Sequence, residues 1–253
     1  MTAVQNEPTK PEWPLNVMVF KPEDGAEDIK KRILPTQDPT KEFDVLYRTP
    51  ENKYANLNTG NKAITYTSEN HFSTKHYALL FAPGDYKDCR FEVGYYVQMA
   101  GLGKSPEEVN FIGEQSGPFV EALNKDMKVT EGGSIAQNNA GLCLDTFWRA
   151  AENFASEKTQ WAVSQAAPLR NVVVKKQLMC GDGAAYSSGG FLANAQVYDD
   201  ISYAANQQWF TRAVDFAKVT PTTGAWSTVF SGMLFIVASL LSDMMLLHFN
   251  LMN

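Results

Sequence analysis

Short apolar segments recur along the second half of the chain, and each is followed by a polar or glycine-rich break. Four of them lie between Phe147 and Lys218, centred at intervals of roughly twenty residues, a repeat length typical of stacked β-strand coils. An asparagine lies near the start of three segments, at Asn153, Asn171 and Asn194. The pattern predicts a stack of β-rungs with one extended open face, which suits a polymeric ligand.

The first half of the chain predicts more strands. The apolar segments are NVMVF at 16–20, YALLFAPGDY at 77–86, FEVGYYVQMAGLG at 91–103 and VNFIG at 109–113, separated by glycine and proline turns. Residues 23–33 carry acids early and bases late, which is typical of a short helix. Apolar periodicity of the helical kind is otherwise rare, so a helical bundle is excluded.

These segments predict one β-rich domain over residues 16–232. A polar, proline-rich tail over 1–15 is expected to be disordered and is not a signal peptide. Irregular insertions are expected at about 35–70 and 114–140. The apolar tail at 233–253 is consistent with a membrane anchor, a short helix that caps the domain, or an artefactual end, and Asp243 within it disfavours lipid.

Composition and motifs exclude several partners. The net charge is −6 and the 22 lysines and arginines are scattered, so no basic surface for nucleic acid is predicted. The three cysteines have no CxxC spacing, and we expect no metal site and no cofactor. GLGKS at 101–105 resembles the end of a phosphate-binding loop, but Gln98 stands where that loop needs glycine, so no nucleotide is expected.

Carboxylates among aromatic side chains suggest carbohydrate chemistry. Hydrolysis of a glycosidic bond commonly uses two carboxyl groups, and the candidate catalytic residues are Glu152 and Asp182. On a strand Glu152 shares a face with Trp148, while Arg149 lies on the other. The alternatives are a surface ion pair for Glu152 and a turn-forming role for Asp182.

Aromatic, amide and guanidinium side chains could bind a sugar by stacking and hydrogen bonding. The candidate substrate-binding residues are Trp148, Arg149, Gln207, Gln208, Trp209 and Arg212. The alternative for the QQWF sequence at 207–210 is a core aromatic residue beside a ladder of amides.

The sequences FWRAAENFA, WAVSQAAPLRNVVV, SSGGFLANAQV and QQWFTR resemble a family of secreted carbohydrate-active proteins with a pectin-lyase-like right-handed parallel β-helix. Members are often joined to coagulation factor 5/8 (discoidin) type modules. The resemblance covers about residues 16–232. It implies an extracellular glycoside hydrolase that acts on a polysaccharide in an open groove. A non-catalytic carbohydrate-binding or adhesive protein and a polysaccharide lyase are the alternatives.

Three departures from the family's pattern bear on activity. Asn194 stands where relatives have aspartate, and Ala213 stands where they have asparagine. The similarity also stops at 228–232, which indicates a C-terminally truncated copy. These departures favour the alternative of an inactive copy that binds glycan without cleaving it.

Overall fold

A computed structural model describes residues 12–33, 74–121, 143, 146–183, 187–221, 227–232 and 234–235. Within these ranges the dominant element is the β-strand. The strands are β1 Val17–Phe20, β2 Tyr77–Phe81, β3 Gly84–Lys87, β4 Arg90–Glu92, β5 Val97–Gly101, β6 Val109–Ile112, β7 Gly117–Phe119, β8 Ala150–Ser156, β9 Thr159–Gln160, β10 Pro168–Val174, β11 Leu178–Met179, β12 Phe191–Ser202, β13 Gln208–Thr220, β14 Ser227–Ser231 and β15 Leu234–Phe235.

The described residues contain 3-10 turns over Pro22–Asp24 and Pro106–Glu108. One α-helix among them, α1 Ala26–Ile33, follows the first turn. Its first turn carries acids and its last turn carries bases, which favours the helix through its dipole. Ile29 and Ile33 are buried against the strands. The helix predicted within residues 23–33 is therefore confirmed.

Every strand pairing in the described residues is parallel. The strands align in three columns. The first column runs in the order β1, β2, β5, β8, β10, β12, β13 and β14. The second contains β3, β6, β15 and the later halves of β8, β10, β12 and β13. The third contains the pairs β4–β7 and β9–β11 with the ends of β12 and β13. An all-β, parallel arrangement is thus confirmed.

We use "rung" for one first-column strand together with the segments that follow it until the chain returns to that column. In the first column, one inward-facing residue from each rung lies in register with the next, and all are buried: Leu79, Met99, Ala151, Leu169, Leu192 and Thr211. Full burial of each leucine contributes about 1.5–3 kcal/mol. Each rung therefore depends on its neighbours for its apolar contacts.

The bend from the first to the second column uses a left-handed residue in each later rung. These residues lie one above another in register, with φ between 49° and 59°: Asn153, Asn171, Asn194, Ala213 and Gly232. Asparagine and glycine tolerate this conformation better than other residues. The recurring asparagines of the sequence are therefore the bends of successive rungs.

Parts of the predicted domain organisation lie outside the described residues. The strand β7 lies inside the segment 114–140 that the sequence assigns to an insertion, so the regular structure continues further than expected. Likewise β15 pairs with Asp215 and Phe216, one strand beyond the predicted end at 232. The insertion at 35–70, the segment 122–140 and the predicted helix in the tail fall among residues that the structure does not describe.

Candidate functional site

A second line of left-handed residues lies at the start of the first column. Tyr96, Trp148, Ala166 and Gly189 occupy equivalent positions in successive rungs, with φ of 57°, 59°, 56° and 97°. A left-handed backbone is unusual for a bulky residue and costs of order 1–3 kcal/mol when the surroundings enforce it. Two successive rungs therefore present large aromatic rings at a strained corner.

The rings at this corner contact one another. The His76 and Tyr96 rings stack with centroids 4.2 Å apart, and the Tyr96 and Trp148 rings meet edge to face at 5.3 Å. Trp148 is 51% exposed, so a large part of its ring faces solvent. We call His76, Tyr96 and Trp148 the aromatic corner.

A groove of about 330 Å³ opens beside the aromatic corner. Its other walls come from the starts of the first-column strands and the bend before β10: Asn16, Val17, Tyr77, Ala78, Gln98, Arg149, Ala150, Ala166 and Pro168. Gln98 is exposed and is one of the polar residues that line the groove. The groove thus combines aromatic rings with a polar amide, as small-ligand sites commonly do.

The structure corrects the prediction for Arg149. Its side chain is fully buried, and its Nη1 donates a hydrogen bond of 2.6 Å to the carbonyl oxygen of Val93. The Nε donates to the carbonyl oxygen of Phe147 at 3.5 Å, and Glu92 Oε1 lies 3.9 Å from Nη1. Because the guanidinium points into the interior, it ties the segment before Tyr96 to the segment before Trp148 instead of contacting a substrate.

Glu152 lies on the outward face of β8, as strand alternation predicted. Its carboxylate forms an ion pair with Arg170, which lies in register on the adjacent rung. Both side chains are about half exposed, at 41% and 52%. Arg212 lies two rungs beyond Arg170 in the same outward column. Glu152 is therefore accessible, and the ion pair proposed as its alternative role is present.

Asp182 lies elsewhere, in the connection from β11 to β12, and it is buried. Glu152 lies in the first column on β8, one rung before the rung that carries Asp182, so the two acids lie in different rungs and at different places along them. Their pairing across a scissile bond stays a prediction.

The structure also corrects the prediction for Trp209, which is only 3% exposed. Its ring packs edge to face on Tyr203 and fills the space over Gly190, where an added Cβ would lie 2.2 Å from the ring. Trp209 is therefore a core residue, as the alternative for the QQWF sequence stated. A left-handed φ of 143° and this close contact both require glycine at 190.

The remaining predicted residues are accessible at the surface. Gln207 is half-buried, and Gln208 and Arg212 are exposed. Gln208 continues the corner line of Trp148, Ala166 and Gly189. It lies three inter-strand steps beyond Trp148, a distance of about 14 Å.

The described residues offer little for metal or thiol chemistry. Among them, no group of three or more His, Cys, Asp or Glu side chains is placed to hold a metal ion. Cys89 and Cys180 are buried free thiols, and Cys143 is buried as well. Burial raises the pKa of Cys89 to about 12 and also raises the pKa of Cys180. These two thiols stay protonated and are poor nucleophiles. No helix in the described ranges is long and apolar enough to cross a bilayer.

Sequence reasoning missed four residues of this region: His76, Tyr96, Gln98 and Arg170. The adjacent tyrosines in GYYVQ were a visible signal, because neighbouring residues on a strand point to opposite faces and only one of the two rings can face the core. The positive φ that turns Tyr96 outward leaves no mark in the sequence.

The chain is similar to known proteins in sequence and in fold. No protein-family model matches the sequence. The chain is 36% identical over 171 residues to an exo-β-1,3-glucanase from Streptomyces sp. (strain SirexAA-E / ActE), an alignment that covers 64% of this chain and 25% of that protein. The chain therefore spans about a quarter of the curated relative's length.

Solved structures from the same bacterium resemble the fold. The structure of sacteLam55A from Streptomyces sp. SirexAA-E superposes with a TM-score of 0.63 at 28% identity, over 88% of this chain and 33% of that one. A single-residue variant of sacteLam55A in complex with glucose gives a TM-score of 0.57 at 25% identity, over 89% of this chain and 36% of that one.

Proposed function

We propose that this chain folds as a right-handed parallel β-helix and acts in a secreted glycoside hydrolase on a β-1,3-linked glucan. The observation that carries this proposal is the 36% identity over 171 residues to an exo-β-1,3-glucanase. The similar structure determined with glucose bound supports a sugar as ligand. A polymeric wall glucan cannot enter a cell, which supports action outside the cell.

The three parallel columns support the β-helix. Each rung visits the columns in the same order, and parallel strands joined in this way are almost always connected with a right hand. This is the architecture implied by the resemblance to pectin-lyase-like proteins, and membership of that family is part of the proposal.

Within the described part of the first column, Glu152 is the acid on the outward face, so we propose it as a carboxylate that acts on the glycosidic bond. Arg170 holds the Glu152 side chain in a defined place beside the first column. Asp182 would be the second carboxylate only if a substrate could reach its buried position. Gln207, Gln208 and Arg212 would contact more distant sugar units along the same face.

The test is release of glucose and reducing ends from β-1,3-glucan by the full chain. Glu152→Gln should lower release at least about 100-fold, because general acid–base groups contribute on that scale. Glu157→Gln is the matched control, since Glu157 also forms surface ion pairs, with Lys175 and Lys176. Equal activity of Glu152→Gln and the unaltered protein would remove Glu152 from the mechanism.

A non-catalytic glucan-binding protein is the second candidate. The burial of Asp182 and the ion pair of Glu152 favour it, because both reduce the carboxyl groups available for chemistry. Binding of β-1,3-glucan without any product would support this function, and ultraviolet-absorbing products from a polysaccharide that contains uronate would indicate a lyase instead.

A further inference from the structure

We propose that the groove at the aromatic corner binds one neutral sugar ring, which stacks on Trp148 and is hydrogen-bonded by Gln98. This inference rests on the proposed function and names the site and the chemical class of sugar. It adds His76, Tyr96 and Gln98 to the residues that select the ligand.

The residue types at the left-handed corner positions support this site. Ala166 and Gly189 occupy the same position in the next two rungs, so the fold itself accepts small side chains there. Tyr96 and Trp148 nevertheless adopt the left-handed backbone, which glycine or asparagine would adopt with less strain. Strain of this kind concentrates at functional sites, so the rings themselves are what the position requires.

The exposure of Trp148 and the size of the groove also support a site for one sugar ring. Trp148 is 51% exposed although a tryptophan gains most by burial, and its ring forms one wall of the groove. The groove volume of about 330 Å³ lies at the small end of the range for ligand sites, roughly 300–1,000 Å³. It suits a single ring at a time, and a longer chain would continue over the open outward face.

The charged groups around the groove favour a neutral sugar. No carboxylate lines the groove among the described residues, and the guanidinium of Arg149 points inward to Glu92 and the carbonyl of Val93. The next charged side chains on the outward face of β8 and β10 are Glu152 and its partner Arg170, which neutralise each other. Glu152 is four residues from Trp148, a separation of roughly 13 Å along extended backbone. A neutral glucosyl ring therefore fits this groove better than a uronate.

Arg149 connects the two segments that carry the rings of the aromatic corner. This buried side chain donates hydrogen bonds to the carbonyl oxygens of Val93 and Phe147, one from each segment that carries a ring of the aromatic corner. The main-chain bond from Tyr96 N to the carbonyl of Trp148, 2.7 Å long, joins the same segments. Both rings are thus fixed before a ligand arrives, which lowers the entropy cost of binding.

Calorimetric titration of the full chain with a short β-1,3-linked gluco-oligosaccharide tests the site. Trp148→Asn keeps a residue that tolerates the left-handed backbone, and it should weaken binding at least tenfold. Tyr96→Asn is the second variant and should act in the same direction. Tyr198→Ala is the matched control: Tyr198 is also an exposed aromatic residue, but it lies in β12 after Val197, where the strand has left the first column, and its loss should leave affinity unchanged. Urea unfolding of each variant verifies that it is folded.

A parallel titration with an oligogalacturonate of equal length tests the charge argument, and it should show at least tenfold weaker binding. Equal binding of both sugars, or full affinity in a folded Trp148→Asn protein, would overturn the inference. Failure of the unaltered protein to bind the glucan would overturn it too. If the protein binds at the aromatic corner but releases no glucose, the hydrolase proposal fails while this site stands.

Discussion

At the residue scale, the left-handed bends explain which substitutions the fold tolerates. Asn153, Asn171 and Asn194 occupy bends that suit asparagine, whereas Ala213 occupies the next bend with a φ of 49° and no side chain that helps. The family resemblance predicts asparagine at this position, and the chain carries alanine. Ala213 is therefore a site of avoidable strain.

Ala213→Asn should stabilise the protein by about 0.5–1 kcal/mol, because asparagine tolerates the left-handed region at lower energy than alanine. Urea unfolding of the variant and of the unaltered protein measures this gain in the free energy of unfolding. Ala217→Asn is the control, since Ala217 is exposed in the same strand without a positive φ. A gain at both positions would show that the bend is not the cause.

The ion pair between Glu152 and Arg170 should contribute little to stability. Exposed pairs of this kind contribute about 0.2–1 kcal/mol. A double-mutant cycle with Glu152→Gln and Arg170→Met should therefore give a coupling free energy within that range. A coupling above about 2 kcal/mol would mean that loss of activity in Glu152→Gln could reflect loss of structure.

At the element scale, the bends couple one rung to the next through side-chain amides. Asn171 Nδ2 donates to Asn153 Oδ1 at 2.8 Å, and Asn153 Nδ2 donates to the carbonyl oxygens of Gly101 and Gly103 at 2.8 and 2.7 Å. This ladder connects three successive rungs at the edge between the first and second columns.

Two substitutions at Asn171 separate its two contributions. Asn171→Gly removes the amide but keeps the left-handed backbone accessible, while Asn171→Ala loses both. We expect both variants to unfold at lower urea concentration, with Asn171→Ala less stable than Asn171→Gly by about 0.5–1 kcal/mol. Equal stability of the two variants would argue against backbone strain at the bend.

The elements themselves were largely predictable from the sequence. Apolar segments of strand length marked β1, β2 and β8, and the order of acids and bases marked α1. The spacing of the asparagines marked the rungs before their bends were known.

The candidate site was less predictable from the sequence, because contacts between residues far apart in the chain determine which side chains are buried and which are exposed. Strand alternation placed Arg149 opposite Glu152, but an arginine is ordinarily expected outside, and only the distant Glu92 and Val93 explain its burial. Trp209 was equally ambiguous, since nothing local shows that Gly190 leaves room for its ring. The outward turn of Tyr96 depends on a backbone angle that a tyrosine does not signal.

At the scale of the whole molecule, buried titratable groups make the fold sensitive to alkali. Burial raises the pKa of Cys89 from 9.0 to about 12, and it also raises the pKa values of Tyr86, Cys180 and Tyr203. The unfolded chain loses these protons first, so stability is complete below about pH 9 and falls as the pH rises toward 12.

The free energy of unfolding should therefore fall by at least about 2 kcal/mol between pH values of about 8.5 and 11, since one unit of pKa corresponds to about 1.4 kcal/mol. Urea unfolding at several pH values measures the slope, and phenolate absorbance reports when the tyrosines ionise. A stability that is constant up to pH 11 would contradict the burial of these groups.

At the scale of the whole molecule, three features of the outward face support the proposed function. Parallel rungs hold a rigid outward face, the aromatic corner supplies a stacking surface at its edge, and Glu152 lies on the same face. These features together suit a neutral glucan chain lying across the rungs.

The most direct test of this account is a crystal structure of the chain soaked with a β-1,3-linked gluco-oligosaccharide. The account predicts electron density for a glucosyl ring stacked on Trp148, within hydrogen-bonding distance of Gln98. Density at another surface alone, or an empty groove at saturating ligand, would contradict it.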